Sequence, residues 1–119
     1  MASKASNTIL KLNKLTKDDE ITWETSRFDP ISLTGSERMI GNSYTTSVNK
    51  KQLRLYKFEY RHYHDEDAYD YIPDFRLEFI DDRGKGEWIF PYERAISDLY
   101  DTILYKASGA DEFFDSFLS

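Results

Sequence analysis

The stretch Leu53-Arg54-Leu55-Tyr56-Lys57-Phe58-Glu59-Tyr60-Arg61-His62-Tyr63 decides the fold. From Tyr56 onward it alternates with a period of two, as an extended chain does. Tyr56, Phe58, Tyr60 and His62 fall on one side, and Lys57, Glu59 and Arg61 on the other. Leu53 and Leu55 sit on the wrong side for that register, which calls for a bulge or for a change of the buried face along the sheet. A charged tip over His64–Asp70 follows, and then a return strand with Phe75, Leu77 and Phe79 facing one way and Arg76 and Glu78 the other. Together the two strands read as a long antiparallel hairpin.

The same reading extends outward on both sides. Upstream, Tyr44-Thr45-Thr46-Ser47-Val48 is β-rich and Asn49-Lys50-Lys51-Gln52 is a turn. Downstream, Asp81-Asp82-Arg83-Gly84 is a second turn, and Glu87-Trp88-Ile89-Phe90 is a last strand that Pro91 ends, because proline cannot donate to a strand ladder. Residues 27–41, with Asp29-Pro30, Gly35-Ser36 and Gly41-Asn42, read as one long loop. Ile21-Thr22-Trp23-Glu24 starts an extended segment before it.

Helices are expected at both ends. Residues 6–17 place Ile9, Leu12 and Leu15 in a narrow stripe with Leu10 beside it, capped by Ser6 or Asn7. Lys4, Lys11, Lys14 and Lys17 take the remainder. Near the other end Ile96, Leu99, Tyr100, Ile103, Leu104 and Ala107 repeat at helical spacing, with Glu93 and Lys106 favourably placed for the helix dipole and Gly109 as the stop. A short final helix carries Phe113, Phe114, Phe117 and Leu118 on one face, and docking onto its own domain is the expected way to cover them. Strands in succession closed by helices give an α+β fold: an antiparallel meander of four or five strands packed against an N-terminal helix and C-terminal helices, in one domain spanning residues 1–119.

Composition narrows the function. The chain of 119 residues is 16% aromatic and has no cysteine, which excludes disulfides, thiolate metal sites and cysteine nucleophiles. No continuous apolar run of signal-peptide or membrane-span length occurs, so a cytoplasmic protein is expected. The net charge of −6 is uneven. Residues 1–64 hold 11 Lys and Arg against 7 Asp and Glu, whereas residues 65–119 hold 5 against 15. An acidic half disfavours contact with nucleic-acid phosphates or anionic lipid, and suits a solvated surface, a basic protein partner or mimicry of DNA.

Three groups of side chains are candidates for a site. His62 and His64, with Asp65, Glu66, Asp67 and Asp70, have the types for a metal site, but they are local and exposed, and a solvated turn is the expectation. Tyr56, Tyr60, Tyr63, Tyr69 and Tyr71 crowd the hairpin. Cross-strand packing accounts for such residues, and a binding face is the alternative. An RNA-stacking sheet needs interleaved basic residues, and Lys57 and Arg61 face away from Tyr56 and Tyr60. Phe113, Phe114 and Phe117 complete the interaction candidates. Neither a G-x-S-x-G elbow nor P-loop spacing occurs, so no catalytic residue and no cofactor are expected.

The chain resembles small uncharacterised bacterial α+β proteins of unassigned function. The resemblance rests on a helix leading into Lys17-Asp18-Asp19-Glu20-Ile21-Thr22-Trp23-Glu24 and on the end that runs from Ser97-Asp98-Leu99-Tyr100 to Ser108-Gly109-Ala110-Asp111-Glu112-Phe113. It implies the fold, and brings no activity or catalytic residue with it. The resulting expectation is a non-enzymatic protein-interaction module of inhibitor, immunity or adaptor type, using an acidic and tyrosine-rich surface. The alternatives are a small metal-dependent enzyme or metal-binding protein at His62/His64, and a homodimeric structural protein sealed through Phe113–Leu118.

Overall fold

The computed structural model describes residues 3–119. The chain runs α1 (Lys4–Lys17), β1 (Glu24–Ser26), β2 (Glu37–Val48), β3 (Lys51–Tyr63), β4 (Tyr69–Ile80), β5 (Gly86–Ile89), α2 (Arg94–Ala107) and α3 (Ala110–Leu118). Among the described residues the five strands form one antiparallel meander in sequence order. The α+β expectation is met.

Local chemistry sets the boundaries. The first helix starts at Lys4, two residues earlier than the sequence reading, because Ser3 caps it by accepting from the Ser6 N–H at 3.0 Å. Ser6 is thereby freed to donate to Glu93, tying the start of α1 to the start of α2. The buried stripe of α1 is Ile9, Leu12 and Thr16, while Leu10 is exposed. Thr16 tolerates burial because its hydroxyl donates to the Leu12 carbonyl at 2.7 Å and accepts from the Trp23 indole at 3.0 Å.

The turn between β2 and β3 is two residues long. Asn49 and Lys50 both take positive φ, as a hairpin turn that follows the strand twist requires. The expected loop over 27–41 is shorter than the sequence reading, because β2 begins at Glu37. Arg38, Met39 and Ile40 pair with Glu59, Phe58 and Lys57, and Gly41-Asn42 is a bulge inside the strand rather than a loop. Gly41 takes a φ of +71°, and a Cβ there would lie 3.6 Å from the Tyr100 hydroxyl.

The conflict at Leu53 and Leu55 resolves without a bulge in β3, whose register with β4 is continuous from Gln52 to Tyr63. Both faces of its first half are buried. Leu53 and Leu55, with Leu77 and Tyr44, face the helices and pack with Ile9, Leu12, Ile96, Leu99, Tyr100 and Ile103. The opposite face carries Arg54, Tyr56 and Phe58, also buried. There the loop over residues 27–36 covers a polar network. Arg54 donates to Glu78 at 2.9 and 3.0 Å, Ser32 donates to Glu78 at 2.7 Å, and Arg76 donates to Glu37 and to the Tyr56 hydroxyl at 2.8 Å.

Beyond this covered half, the β3–β4 hairpin projects. Thirteen residues of strand span about 44 Å, against about 21 Å for a helix of 14. The projecting part carries the remaining tyrosines. No helix among the described residues is long and apolar enough to cross a membrane.

Candidate interaction surface

The tyrosines do not form one face. Tyr56 is fully buried, which corrects its place among the interaction candidates: burial, only partly offset by the Arg76 hydrogen bond, pushes its phenol up to about 12. Tyr60 lies half-buried on that same face beside Phe58. Tyr63, Tyr69 and Tyr71 lie on the other face, past the end of the helical layer. The register pairs Tyr63 with Tyr69 and Arg61 with Tyr71.

Two arginines join them. The Arg61 guanidinium stands 5.1 Å from the Tyr69 ring centre, and Arg38 lies 3.8 Å over Tyr71. The hydrogen bond from Arg61 and the nearby Arg38 charge hold the Tyr71 phenol below its ordinary range. Sequence reasoning placed Arg61 away from Tyr56 and Tyr60, and that holds. It missed Arg38, whose position depends on the bulge at Gly41 and on a third strand.

At the hairpin tip His64 contacts Asp70 at 2.6 Å, and the His62 and His64 rings meet edge to face at 5.5 Å. Among the described residues no three His, Asp or Glu side chains are disposed around a common ion position. The carboxylates of the acidic half are divided. Asp65, Glu66, Asp67 and Asp70 lie at one end of β4 and Asp81 and Asp82 at the other, about 40 Å apart.

The last helix makes the most exposed apolar surface. Gly109 takes a φ of +77°, and the chain turns there out of α2. Lys106 then pins the first turn of α3, reaching Asp111 and Asp19 at 3.2 Å each, and those two carboxylates raise its ammonium pKa. Past that anchor the helix touches the domain through Phe114 on Tyr105 of α2. Phe113, Phe114, Phe117 and Leu118 are 60, 48, 75 and 81% exposed, and no residue of α3 is buried.

The expected docking of this helix onto its own domain is thus corrected. Ile96, Leu99, Tyr100 and Ile103 spend the apolar stripe of α2 on the sheet, leaving only Leu104 and Tyr105 outside. Tyr105 stacks against Phe114 at 6.5 Å, and Phe113 and Phe117 lie parallel at 5.6 Å. Phe113 and Phe117 thus cover one another, and only Phe114 meets an aromatic ring of the domain. The chain matches no family model, no curated protein and no solved structure.

Proposed function

We propose that this chain is a non-enzymatic protein-interaction module of inhibitor, immunity or adaptor type, and that the aromatic face of α3 is its principal contact surface. The observation that carries this reading is the exposure of Phe113, Phe114, Phe117 and Leu118 on a helix held to the domain by Lys106 at its first turn and by the stack of Phe114 on Tyr105. Side chains of this size left in water mark a surface that a partner covers. Aromatic anchors are also the residues from which interfaces draw most of their energy.

The use made of the ionisable groups supports binding rather than catalysis. Glu37, Arg54, Arg76 and Glu78 are paired with one another under the 27–36 loop. Tyr63, Tyr69 and Tyr71, with Arg38 and Arg61, offer a second contact patch at the far end of the hairpin. A cytoplasmic setting goes with this reading, supported by a cysteine-free composition.

Removal of residues 110–119 tests it. Compared with the full chain at a concentration where both are monomeric, the shortened chain is expected to unfold cooperatively at a nearly unchanged midpoint, because no residue of α3 is buried, and at higher concentration to lose any complex the full chain forms. A midpoint lowered by about 5 °C or more between the two monomers would assign α3 to the domain's own packing and remove the reading.

A further inference from the structure

The outer side of α1 is the counterpart of α3 in both shape and charge. The first helix carries Lys4, Lys11, Lys14 and Lys17 and no acid; Lys14 bridges to Asp18 just past its end, which leaves Lys4 and Lys11 on the flank where Thr8 lies. Beside Lys11 a hollow of about 270 Å³ opens between α1 and the β2–β3 turn, lined by Thr8, Lys11, Leu12, Leu15, Val48 and Asn49. A cavity of about 150 Å³ takes a benzene ring, so this one takes a phenylalanine side chain. The last helix carries Asp111, Glu112 and Asp115 and no base, flanking its row of phenylalanines. An apolar hollow with a basic rim therefore faces solvent on the same chain as an apolar ridge with an acidic flank.

We propose that α3 of one chain docks on the α1 flank of a second copy, with a phenylalanine of the α3 ridge seated in the hollow beside Lys11. Two-fold symmetry makes the contact twice. This deepens the binding-module reading and rests on it, since it needs α3 to be a contact surface.

Charge selects this arrangement over α3 against α3, which would set Glu112 and Asp115 of one copy against the same pair of the other, Asp111 being taken up by Lys106. Area permits it. The exposed side chains of α3 present on the order of 400 Å² of apolar surface. Made twice, and with the matching α1 surface included, that contact exceeds the roughly 1,000 Å² a specific interface needs.

Light scattering on the full chain across a concentration series, combined with charge reversal, tests the proposal. The wild type is expected to be a dimer that weakens as salt is raised. Lys4→Glu/Lys11→Glu and Glu112→Lys/Asp115→Lys are each expected to weaken dimerisation about tenfold. An equal mixture of the two variants is expected to restore it, because reversed charges then meet their complements at both contacts. Thr8→Trp, which fills the hollow from an exposed position, should weaken it independently of charge.

A wild type that is monomeric at several hundred micromolar overturns the proposal. So does a dimer indifferent to Thr8→Trp, or one whose two charge-reversed variants fail to rescue each other. The melting midpoint of the chain lacking residues 110–119 separates the two levels. Monomeric wild type with that midpoint unchanged removes self-docking and leaves α3 as a surface for another protein, whereas a lowered midpoint removes the underlying reading as well.

Discussion

Gly86 and Glu78 approach so closely across the β4–β5 pair that a Cβ on the glycine would stand 2.5 Å from Glu78 Oε1 and 2.8 Å from Ser32 Oγ. The glycine is therefore part of the packing of the buried ion pair, not a feature of the turn that precedes it. Glu78 has little freedom to withdraw, since Arg54 grips its other oxygen with two N–H groups and its side chain is fully buried.

Gly86→Ala is accordingly expected to destabilise the fold by about 2 kcal/mol, in the range of other overpacked sites. Chemical denaturation measures it. Gly35 has nothing within 4 Å of the same hypothetical atom, and Gly35→Ala should be close to neutral. Equal effects at the two glycines would show that the contact with Glu78 carries no cost.

The Arg54–Glu78 pair makes a second prediction. Two charges out of water are tolerated only together, and removing one strands the other. Glu78→Gln or Arg54→Met alone is expected to cost about 3 kcal/mol or more. The double variant Arg54→Met/Glu78→Gln should cost clearly less than the two single losses combined. A double-mutant cycle measures the coupling, and simple additivity would contradict it.

Acid should act through Glu37. Burial by itself would raise this carboxyl, but the two Arg76 N–H groups and the Thr34 N–H outweigh that and hold it below its ordinary range. A depressed carboxyl stabilises the fold above its unfolded pKa, and the contribution is lost as pH falls through the folded value. Stability measured from pH 6 downward should fall more steeply in the wild type than in Glu37→Gln. The variant is expected to be less stable at neutral pH and nearly equal to the wild type in strong acid. Parallel pH profiles would refute the assignment.

The extent to which these arrangements are legible in the sequence follows the range of the interactions that make them. Phe75, Leu77 and Phe79 against Arg76 and Glu78 can be read directly, because their period of two is set by the strand itself. Ile96 to Ile103 can be read for the same reason at the helical period. Leu53 and Leu55 remain in conflict with Tyr56 and Phe58 on any single-face reading. Their resolution lies in an aperiodic loop, whose Ser32 reaches Glu78, Arg54 and Arg76 on the second face. Arg38 over Tyr71 depends on three strands and a bulge. The free position of α3 depends on which face of α2 the sheet had already taken. The apolar pattern of Phe113–Leu118 identifies a surface that must be covered, and it carries no information on whether its own domain does the covering.

High pH gives the last prediction, through Tyr56. Burial is the main cause that lifts its phenol to about 12, with the neighbouring Glu78 charge adding to it and Arg76 opposing. Tyr100, buried under the helices, is also raised by burial and by Tyr44 and Asp101. For a phenol whose folded pKa lies above the unfolded one, the protonated folded state is favoured at lower pH. That contribution is fully present below about 10 and is lost as pH rises from there toward 12. Ultraviolet titration at the phenolate band should therefore show a late component near 12, or abrupt alkaline unfolding that brings it forward. Tyr56→Phe removes the late component and leaves Arg76 its bidentate partner Glu37, so the variant should fold and should resist alkali better than the wild type. A late component that survives Tyr56→Phe at unchanged amplitude would place the burial elsewhere, and would count against Arg76 and Tyr56 sharing the covered face of the sheet.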